Sequence, residues 1–170
     1  MNIDEEIFIT NSFEETQKLG EKFAKRFFAR RPLGEAIIAL YGELGSGKTT
    51  FVQGMAKGLG IRRRIISPTF IIIRSYKIKN QKSSFDNASD KNIKYTNKKL
   101  KMFYHIDLYR IKSDKDIEGL GLDEIIDDPK NIVAIEWAEK IGNKGNTAYI
   151  GVVYNATVAE AAHALKALGL

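Results

Sequence analysis

Residues 36–50 read AIIALYGELGSGKTT, and this stretch decides the fold. Its first six residues, Ala36–Tyr41, form a continuous apolar run of strand length, which is typical of a buried strand in a parallel sheet. The glycine-rich turn that follows leads into residues 49–58, a segment that we expect to be helical and to end at glycine. A strand, a glycine turn and a helix in this order are the context of a phosphate-binding loop.

Residues 42–49 match the pattern G-x-x-x-x-G-K-[ST] at every defined position. Glycines let the backbone wrap around an anion, so that N–H groups of the turn and of the following helix point at phosphate oxygens. Lys48 adds a positive charge for the β- and γ-phosphates, Thr49 offers a hydroxyl to Mg²⁺, and Thr50 can bond a further phosphate oxygen. The predicted nucleotide-binding residues are Gly42, Glu43, Leu44, Gly45, Ser46, Gly47, Lys48, Thr49 and Thr50.

The loop by itself does not identify the base of the nucleotide. No Asn-Lys-x-Asp pattern, the usual guanine-reading motif, occurs in the chain, so adenine is favoured over guanine. The expected ligands are therefore ATP and Mg²⁺. The loop alone does not distinguish hydrolysis, phosphoryl transfer and simple binding.

Two acids stand directly after apolar strands. Asp107 follows residues 103–106, and Glu136 follows residues 132–135. In doubly wound sheets, chemistry collects at the carboxyl ends of parallel strands, so both acids are candidates to hold Mg²⁺ or a metal-bound water. A helix cap or a surface acid is the alternative interpretation of each.

Three other residues belong to the same segments. Thr69 follows a Ser-Pro turn and is a candidate switch residue for the γ-phosphate or its metal, although a plain turn accounts for it equally well. His105 alternates with its strand neighbours and fits a packed core histidine. Trp137 is the only tryptophan, and core packing beside the site is its default interpretation.

The order of segments predicts an α/β fold, a P-loop NTPase-like three-layer sandwich around a mostly parallel central sheet. Some antiparallel strands are expected around residues 70–106. Ser12 and Glu15 form a capping box for a first helix that reaches about Ala29. The 170 residues fit one domain with its own core. The other expected strands are Phe70–Tyr76, Met102–Ile106, Ile132–Ile135 and Ala148–Tyr154. The segment Ser113–Ile126 is expected to be mainly helical with interruptions at Gly119 and Gly121, and Val158–Leu168 is expected to be a helix.

The net charge of +6 is concentrated in one segment. Residues 61–101 contain 12 Lys and Arg against two Asp, whereas the rest of the chain has 15 basic and 19 acidic residues. Within this segment, residues 77–99 are poor in apolar residues and rich in Lys, Asn and Ser, which predicts a flexible insertion. A solvated loop is one explanation of the basic segment 61–101, and contact with RNA is the other.

Composition excludes several kinds of site. The chain has no cysteine, which rules out disulfides, thiolate zinc sites and cysteine nucleophiles, and only two histidines, which argues against a histidine metal cluster. No apolar run reaches 18 residues, so no membrane span is expected. The first residues lack the basic flank and apolar stretch of a signal peptide, and the expected location is cytoplasmic.

Four blocks of the chain together resemble the TsaE family, the ATPase component of bacterial tRNA threonylcarbamoyladenosine synthesis. They are YGELGSGKTT at 41–50, SPTF at 67–70, YHIDLYR at 104–110 and IEWAEK at 135–140. Phosphate loops are shared by many families, but the other three blocks in this order are much more specific. The resemblance covers residues 5–155.

The resemblance implies a small P-loop ATPase that binds ATP and Mg²⁺ and works with the TsaB–TsaD pair. These partners attach a threonylcarbamoyl group to the adenosine at position 37 of tRNAs that read codons beginning with A, and ATP hydrolysis by TsaE drives or resets their cycle. By motif position, Lys48 and Thr49 contact the phosphates and Mg²⁺. Asp107 takes the Walker-B-like position, Glu136 is a further acid of the Mg²⁺ site, and Thr69 is the switch threonine.

Two other functions are compatible with the residues. A small-molecule P-loop kinase needs a mobile lid that carries arginines, and residues 62–64, three consecutive arginines, could supply it. A nucleotide-gated RNA-binding module would use the basic segment 61–101. Arg110 is the nearest candidate for an arginine finger within the chain.

Overall fold

The computed structural model describes residues 8–30, 36–78, 100–141 and 147–151. In these ranges the helices are α1 (Phe13–Arg30), α2 (Lys48–Gly58) and α3 (Leu122–Asp127). The strands are β1 (Ala36–Tyr41), β2 (Ile73–Lys77), β3 (Met102–Asp107), β4 (Asn131–Glu136) and β5 (Thr147–Gly151). Short 3-10 turns occur at Asp114–Asp116 and Ala138–Lys140.

The five strands form one sheet in the order β2-β3-β4-β1-β5. The β1–β4, β1–β5 and β3–β4 pairs are parallel, and the β2–β3 pair is antiparallel. This confirms the predicted α/β fold with a mostly parallel centre and an antiparallel strand pair within residues 70–106. Because four strands run the same way, their carboxyl ends meet at one edge of the sheet.

Both faces of the sheet are covered, as a parallel sheet requires. The residues of β1 alternate between two cores, with Ile38 and Leu40 facing α1 and α2 and Ile37 and Ala39 facing α3. All six residues of β1 are buried. The sheet is therefore the middle layer of three.

The first helix begins as its capping box predicts. The N–H of Glu15 donates to Ser12 Oγ at 3.1 Å, and the Glu15 carboxylate accepts the N–H of Asn11 at 2.7 Å. The helix then packs closely against α2, since a Cβ on Gly54 would lie 1.9 Å from the carbonyl oxygen of Gln17. Glycine at this position allows the two helix backbones to approach.

One predicted strand starts later than expected. The prediction Phe70–Tyr76 is wrong at its beginning, because β2 starts at Ile73. The N–H groups of Ile71 and Ile72 both donate to the carbonyl oxygen of Pro68, at 2.8 and 2.6 Å, and Ile72 has a φ of 66°. These amides close a turn and cannot join the sheet, although isoleucine favours strands.

The segment Ser113–Ile126 was predicted to be mainly helical with interruptions at Gly119 and Gly121, and the structure has two short helical pieces there, separated by non-helical residues that include both glycines. It contains the 3-10 turn Asp114–Asp116, and the only α-helix that starts within it is α3, which extends to Asp127. Gly121 precedes α3 with a φ of 63°, a left-handed conformation that interrupts a right-handed helix. Gly121 thus divides the segment.

Several predictions fall outside the described residues. These are most of the insertion 77–99, from residue 79 onward, the terminal helix Val158–Leu168 and the end of the last strand beyond residue 151. The single domain 1–170 accordingly stays a prediction. Within the part of the chain that the structure describes, no helix has both the length and the apolar character needed to cross a bilayer.

Candidate nucleotide-binding site

The glycine loop between β1 and α2 has the backbone conformation of an anion-binding turn. Gly42, Gly45 and Gly47 have φ values of 132°, 80° and 101°, which side chains other than glycine rarely adopt. The N–H of Ser46 donates to the carbonyl of Glu43 at 3.1 Å and closes the turn. No side chain caps the start of α2, so the first N–H groups of that helix are available to a phosphate.

Lys48 is buried at the base of this loop, with only 4% of its surface exposed. Its Nζ donates to the carbonyl oxygens of Gly42 at 2.6 Å and Glu43 at 2.9 Å. The ammonium also lies 4.1 Å from the centroid of the Trp137 ring, a cation–π contact. Burial lowers the pKa of Lys48, and the carboxylate of Glu136 opposes this most strongly.

Thr49 and Glu136 lie in direct contact although 87 residues separate them. The Thr49 hydroxyl is 2.8 and 3.0 Å from the two carboxylate oxygens of Glu136. This occurs because α2 starts at the carboxyl end of β1, and the register places Leu40 of β1 beside Glu136 at the end of β4. The predicted pairing of the loop hydroxyl with a strand-end acid is therefore present.

His105 is a second partner of Glu136. Its Nε2 lies 2.7 Å from Glu136 Oε1, and its side chain is completely buried. Its Nδ1 is buried and has no hydrogen-bond partner among the described residues. A neutral ring that carries its proton on Nε2 satisfies this environment, because it donates to the carboxylate and leaves no buried N–H unpaired.

Asp107 is the partner of the Ser-Pro turn. One of its carboxylate oxygens accepts hydrogen bonds from the hydroxyls of Ser67, at 3.1 Å, and Thr69. The other oxygen accepts the N–H of Tyr109 at 2.9 Å. Asp107 is opposite Glu136 in the β3–β4 register, and each is 3% exposed. The two predicted acids and the predicted switch threonine thus meet at one edge of the sheet.

The other predicted loop residues are also placed. Ser46 is buried, with its hydroxyl 3.5 Å from Lys48 Nζ, and Thr50 lies half-buried in the first turn of α2. Leu44 is 72% exposed and can contribute only its backbone to a phosphate from this position. Arg110 stacks on the exposed ring of Phe70, 4.3 Å from its centroid. Its guanidinium has no contact with the predicted site residues in the described part of the chain.

The available donor atoms suit Mg²⁺ bound with a nucleotide. They are one hydroxyl, from Thr49, and two carboxylates, from Glu136 and Asp107, all of them hard oxygen ligands. Among the described residues, no group of three or more His, Cys, Asp or Glu side chains forms a metal cluster. A magnesium ion in an ATPase takes only one or two carboxylates and completes its shell with phosphates and water.

Sequence reasoning missed the contacts of two residues, His105 and Ser67, and was correct for a third, Trp137. His105 was interpreted as core packing, yet it bonds the carboxylate of Glu136. Its separation of two residues from Asp107 in β3 was the available signal, because such residues share a face of a sheet. Ser67 was treated as part of a turn, and no local pattern indicates that it reaches Asp107. Trp137 does pack beside the site, with its φ of 60° at the end of β4.

Comparison with known proteins identifies the family of the chain. The family described as "Threonylcarbamoyl adenosine biosynthesis protein TsaE" matches residues 10–163. The chain is 39% identical over 117 residues to the tRNA threonylcarbamoyladenosine biosynthesis protein TsaE of Borreliella burgdorferi, which covers 69% of each chain. It is 34% identical over 145 residues to the protein of that name from Synechocystis, which covers 83% of this chain and 75% of the relative.

A solved structure has a similar fold. The crystal structure of Bacillus subtilis YdiB superposes with a TM-score of 0.55 and 25% sequence identity, over 94% of this chain and 90% of that one. The family match over residues 10–163 and the identity to these relatives show that the chain belongs to the TsaE family of threonylcarbamoyl adenosine biosynthesis proteins.

Proposed function

We propose that this protein is the Mg²⁺-dependent ATPase subunit of the system that makes threonylcarbamoyladenosine at position 37 of tRNA. The observation that carries the proposal is the contact of the Thr49 hydroxyl with the Glu136 carboxylate beside Asp107. It supports a nucleotide-linked metal because a loop hydroxyl and strand-end acids are the groups that hold Mg²⁺ in P-loop enzymes.

The phosphates of ATP are held by the N–H groups of the loop and by Lys48. The loop glycines and the uncapped start of α2 present these donors without reorganisation, which favours charge developing on the transferred phosphoryl group. Lys48 is confined by the carbonyls of Gly42 and Glu43 and by the Trp137 ring, so its ammonium is already positioned.

Thr49, Glu136 and Asp107 would hold the metal. The chemistry that Mg²⁺ would supply at these residues is positive charge that offsets the negative charge of the nucleotide phosphates. Glu136 is available to orient the attacking water, since its carboxylate is fixed by His105 on one side and Thr49 on the other. Asp107 links this region to Ser67 and Thr69, which makes Thr69 a residue that can respond to the γ-phosphate.

The partners in this proposal are TsaB and TsaD. Large apolar side chains are exposed on the segments that carry the site, with exposures of 72% for Leu44, 82% for Phe70, 54% for Ile71 and 44% for Tyr109. Exposed apolar side chains around a polar site support protein contact there. Slow turnover in isolation is expected because Arg110 stacks on Phe70 in the described structure.

The test is ATP hydrolysis with and without the cognate TsaB–TsaD pair and tRNA, comparing the unmodified protein with Lys48→Ala. Stimulation by the partners that the substitution removes would support the proposal. A rate of ATP hydrolysis that does not change when the partners and tRNA are added would argue against the proposal. Transfer of phosphate from ATP to an added metabolite pool would favour the alternative function, a small-molecule P-loop kinase.

A further inference from the structure

A basic cleft lies beside α2, outside the set of residues assigned to ATP and Mg²⁺. Its volume is about 640 Å³. Three consecutive arginines, residues 62–64, form one wall, and Phe13, Gln17 and Gln53 contribute the facing side chains from α1 and α2. Nothing in the proposed ATPase mechanism uses these residues.

The arginines stand on a loop that is held at both ends. At its start, the N–H of Ile61 donates to the carbonyl of Ala56 at 2.9 Å. At its end, Gln53 Nε2 donates to the carbonyl of Ile65 at 3.1 Å, and the Ile65 side chain is buried in the core. A loop fixed in this way presents its charges with less loss of conformational entropy on binding than a free tail would.

The positive charge of this wall is not neutralised within the described structure. Arg62, Arg63 and Arg64 are exposed, and none of them has an ion pair or hydrogen bond among the described residues. Lys57 also lines the cleft, but its Nζ is 3.1 Å from a carboxylate oxygen of Glu21. The three arginines are therefore the available cationic groups of the cleft.

The packing of α1 on α2 locates the cleft relative to the phosphate loop. Gly54 lies against Gln17 and Gly58 against Glu21, so the two helices run parallel. Gln53 and Lys57 of α2 line the cleft, about one and two helical turns beyond Thr49. A ligand in the cleft thus lies along the helix that carries Lys48 and Thr49.

We propose that this cleft binds the sugar–phosphate backbone of an RNA, with the arginines on phosphates. Arginine presents a planar fork of donors to phosphate and also stacks on unpaired bases. Phe13 is 53% exposed at the rim and offers a stacking surface, while the amide of Gln17 offers hydrogen bonds. An uncharged ligand, such as an adenine base alone, would leave the three arginines without a negatively charged partner, so an anionic ligand fits the cleft better. Only the identity of the RNA as tRNA rests on the proposed function.

The test measures binding of fluorescently labelled tRNA to the full chain by anisotropy, between about 50 and 200 mM salt. The variant replaces Arg62, Arg63 and Arg64 with Gln. The control replaces Lys112, Lys115 and Lys130 with Gln, which removes the same charge from exposed positions outside the cleft. Both variants should keep the melting temperature of the parent, because the altered side chains are exposed.

The arginine variant should bind tRNA about tenfold or more weakly at low salt, and the slope of log affinity against log salt should fall by about 2–3. The control should stay within about twofold of the parent. Equal losses in the two variants would overturn the proposal, because only net charge would then matter. Absence of tRNA binding by the parent at low salt would also overturn it.

Nucleotide binding, followed separately with a fluorescent ATP analogue, distinguishes the remaining outcomes. If the arginine variant loses ATP affinity and keeps tRNA affinity, the cleft is a nucleoside site and the proposal is wrong. If it keeps both and loses only stimulation by TsaB–TsaD, the cleft binds an acidic protein surface instead. Binding of tRNA without any ATP hydrolysis would defeat the proposed ATPase function and leave the RNA site standing.

Discussion

Glu136 connects the phosphate loop to a buried histidine. Its carboxylate receives the hydroxyl of Thr49 at 2.8 and 3.0 Å and is joined to His105 Nε2 at 2.7 Å. The three residues come from α2, β4 and β3, which meet only at the carboxyl edge of the sheet. Substitutions in and around this series of hydrogen bonds should therefore affect activity and stability in different ways.

Thr49→Ala should abolish the Mg²⁺ stimulation of ATP hydrolysis, because it removes the loop hydroxyl that faces Glu136. Turnover should fall by on the order of tenfold or more. Thr49→Ser is the matched control, since it keeps the hydroxyl and should retain most activity. Hydrolysis measured against Mg²⁺ concentration separates the two, and an alanine variant with an unchanged Mg²⁺ response would contradict the assignment.

His105→Leu should lower the affinity for ATP in the presence of Mg²⁺ and leave the affinity without Mg²⁺ nearly unchanged. The substitution removes the buried donor to Glu136, which frees that carboxylate to rotate and costs about 1–3 kcal/mol of stability. His105→Gln can place an amide N–H near the position of Nε2 and should recover both quantities. Isothermal titration calorimetry measures the ATP affinity, and urea unfolding measures the stability. If the Gln variant is as defective as the Leu variant, the role of His105 is packing alone.

Asp107→Asn should loosen the segment around Ser67 and Thr69. The amide nitrogen cannot accept the two hydroxyl hydrogen bonds that one carboxylate oxygen receives, and bonds to charged groups contribute about 1.5–3 kcal/mol each. Hydrogen exchange should rise in residues 66–72 before it rises in β1. Asp127→Asn, at an exposed position in α3, serves as the control and should leave exchange there unchanged.

Lys48→Met should change stability in a pH-dependent manner. Burial lowers the pKa of Lys48 in the folded protein, so the unfolded chain binds this proton more tightly. Below the pKa of Lys48 in the folded protein, the buried charge lowers the free energy of unfolding by its full amount. This loss becomes smaller as the pH rises from that pKa to the higher pKa of the unfolded chain. The parent should therefore gain stability relative to Lys48→Met between pH 7 and about 10. Urea unfolding at both pH values measures this, with Lys115→Met, at an exposed position, as the control, and a constant difference between the parent and Lys48→Met would refute the expectation.

Trp137 should report nucleotide binding by fluorescence. It is the only tryptophan of the chain. Its ring centroid lies 4.1 Å from the ammonium of Lys48, so its fluorescence depends on the charge at that position. Addition of ATP should change its emission, because the phosphates would bring negative charge beside the ammonium that faces the ring. Lys48→Met should start from a different emission intensity and show little response. An identical response in the two proteins would mean that the signal does not come from this contact.

The strand β1, the glycine turn and the acids at the ends of β3 and β4 could be located from the sequence because each depends on a short local pattern. The failures occurred where packing or a turn overrode propensity. Ile71 and Ile72 favour strands but close a turn onto Pro68, and before the predicted break at Gly119 the helical part of residues 113–118 is only the 3-10 turn Asp114–Asp116.

The sequence by itself determined the phosphate loop, the strand-end acids and the family to which they belong. Tertiary structure alone decided which acid faces which hydroxyl. Glu136 accepts a hydrogen bond from Thr49, and Asp107 accepts hydrogen bonds from Ser67 and Thr69. The reason is the strand order, which places β4 between β3 and β1. Such pairings depend on contacts between residues far apart in the chain. A sequence pattern does not show which distant segments the sheet brings close together in space.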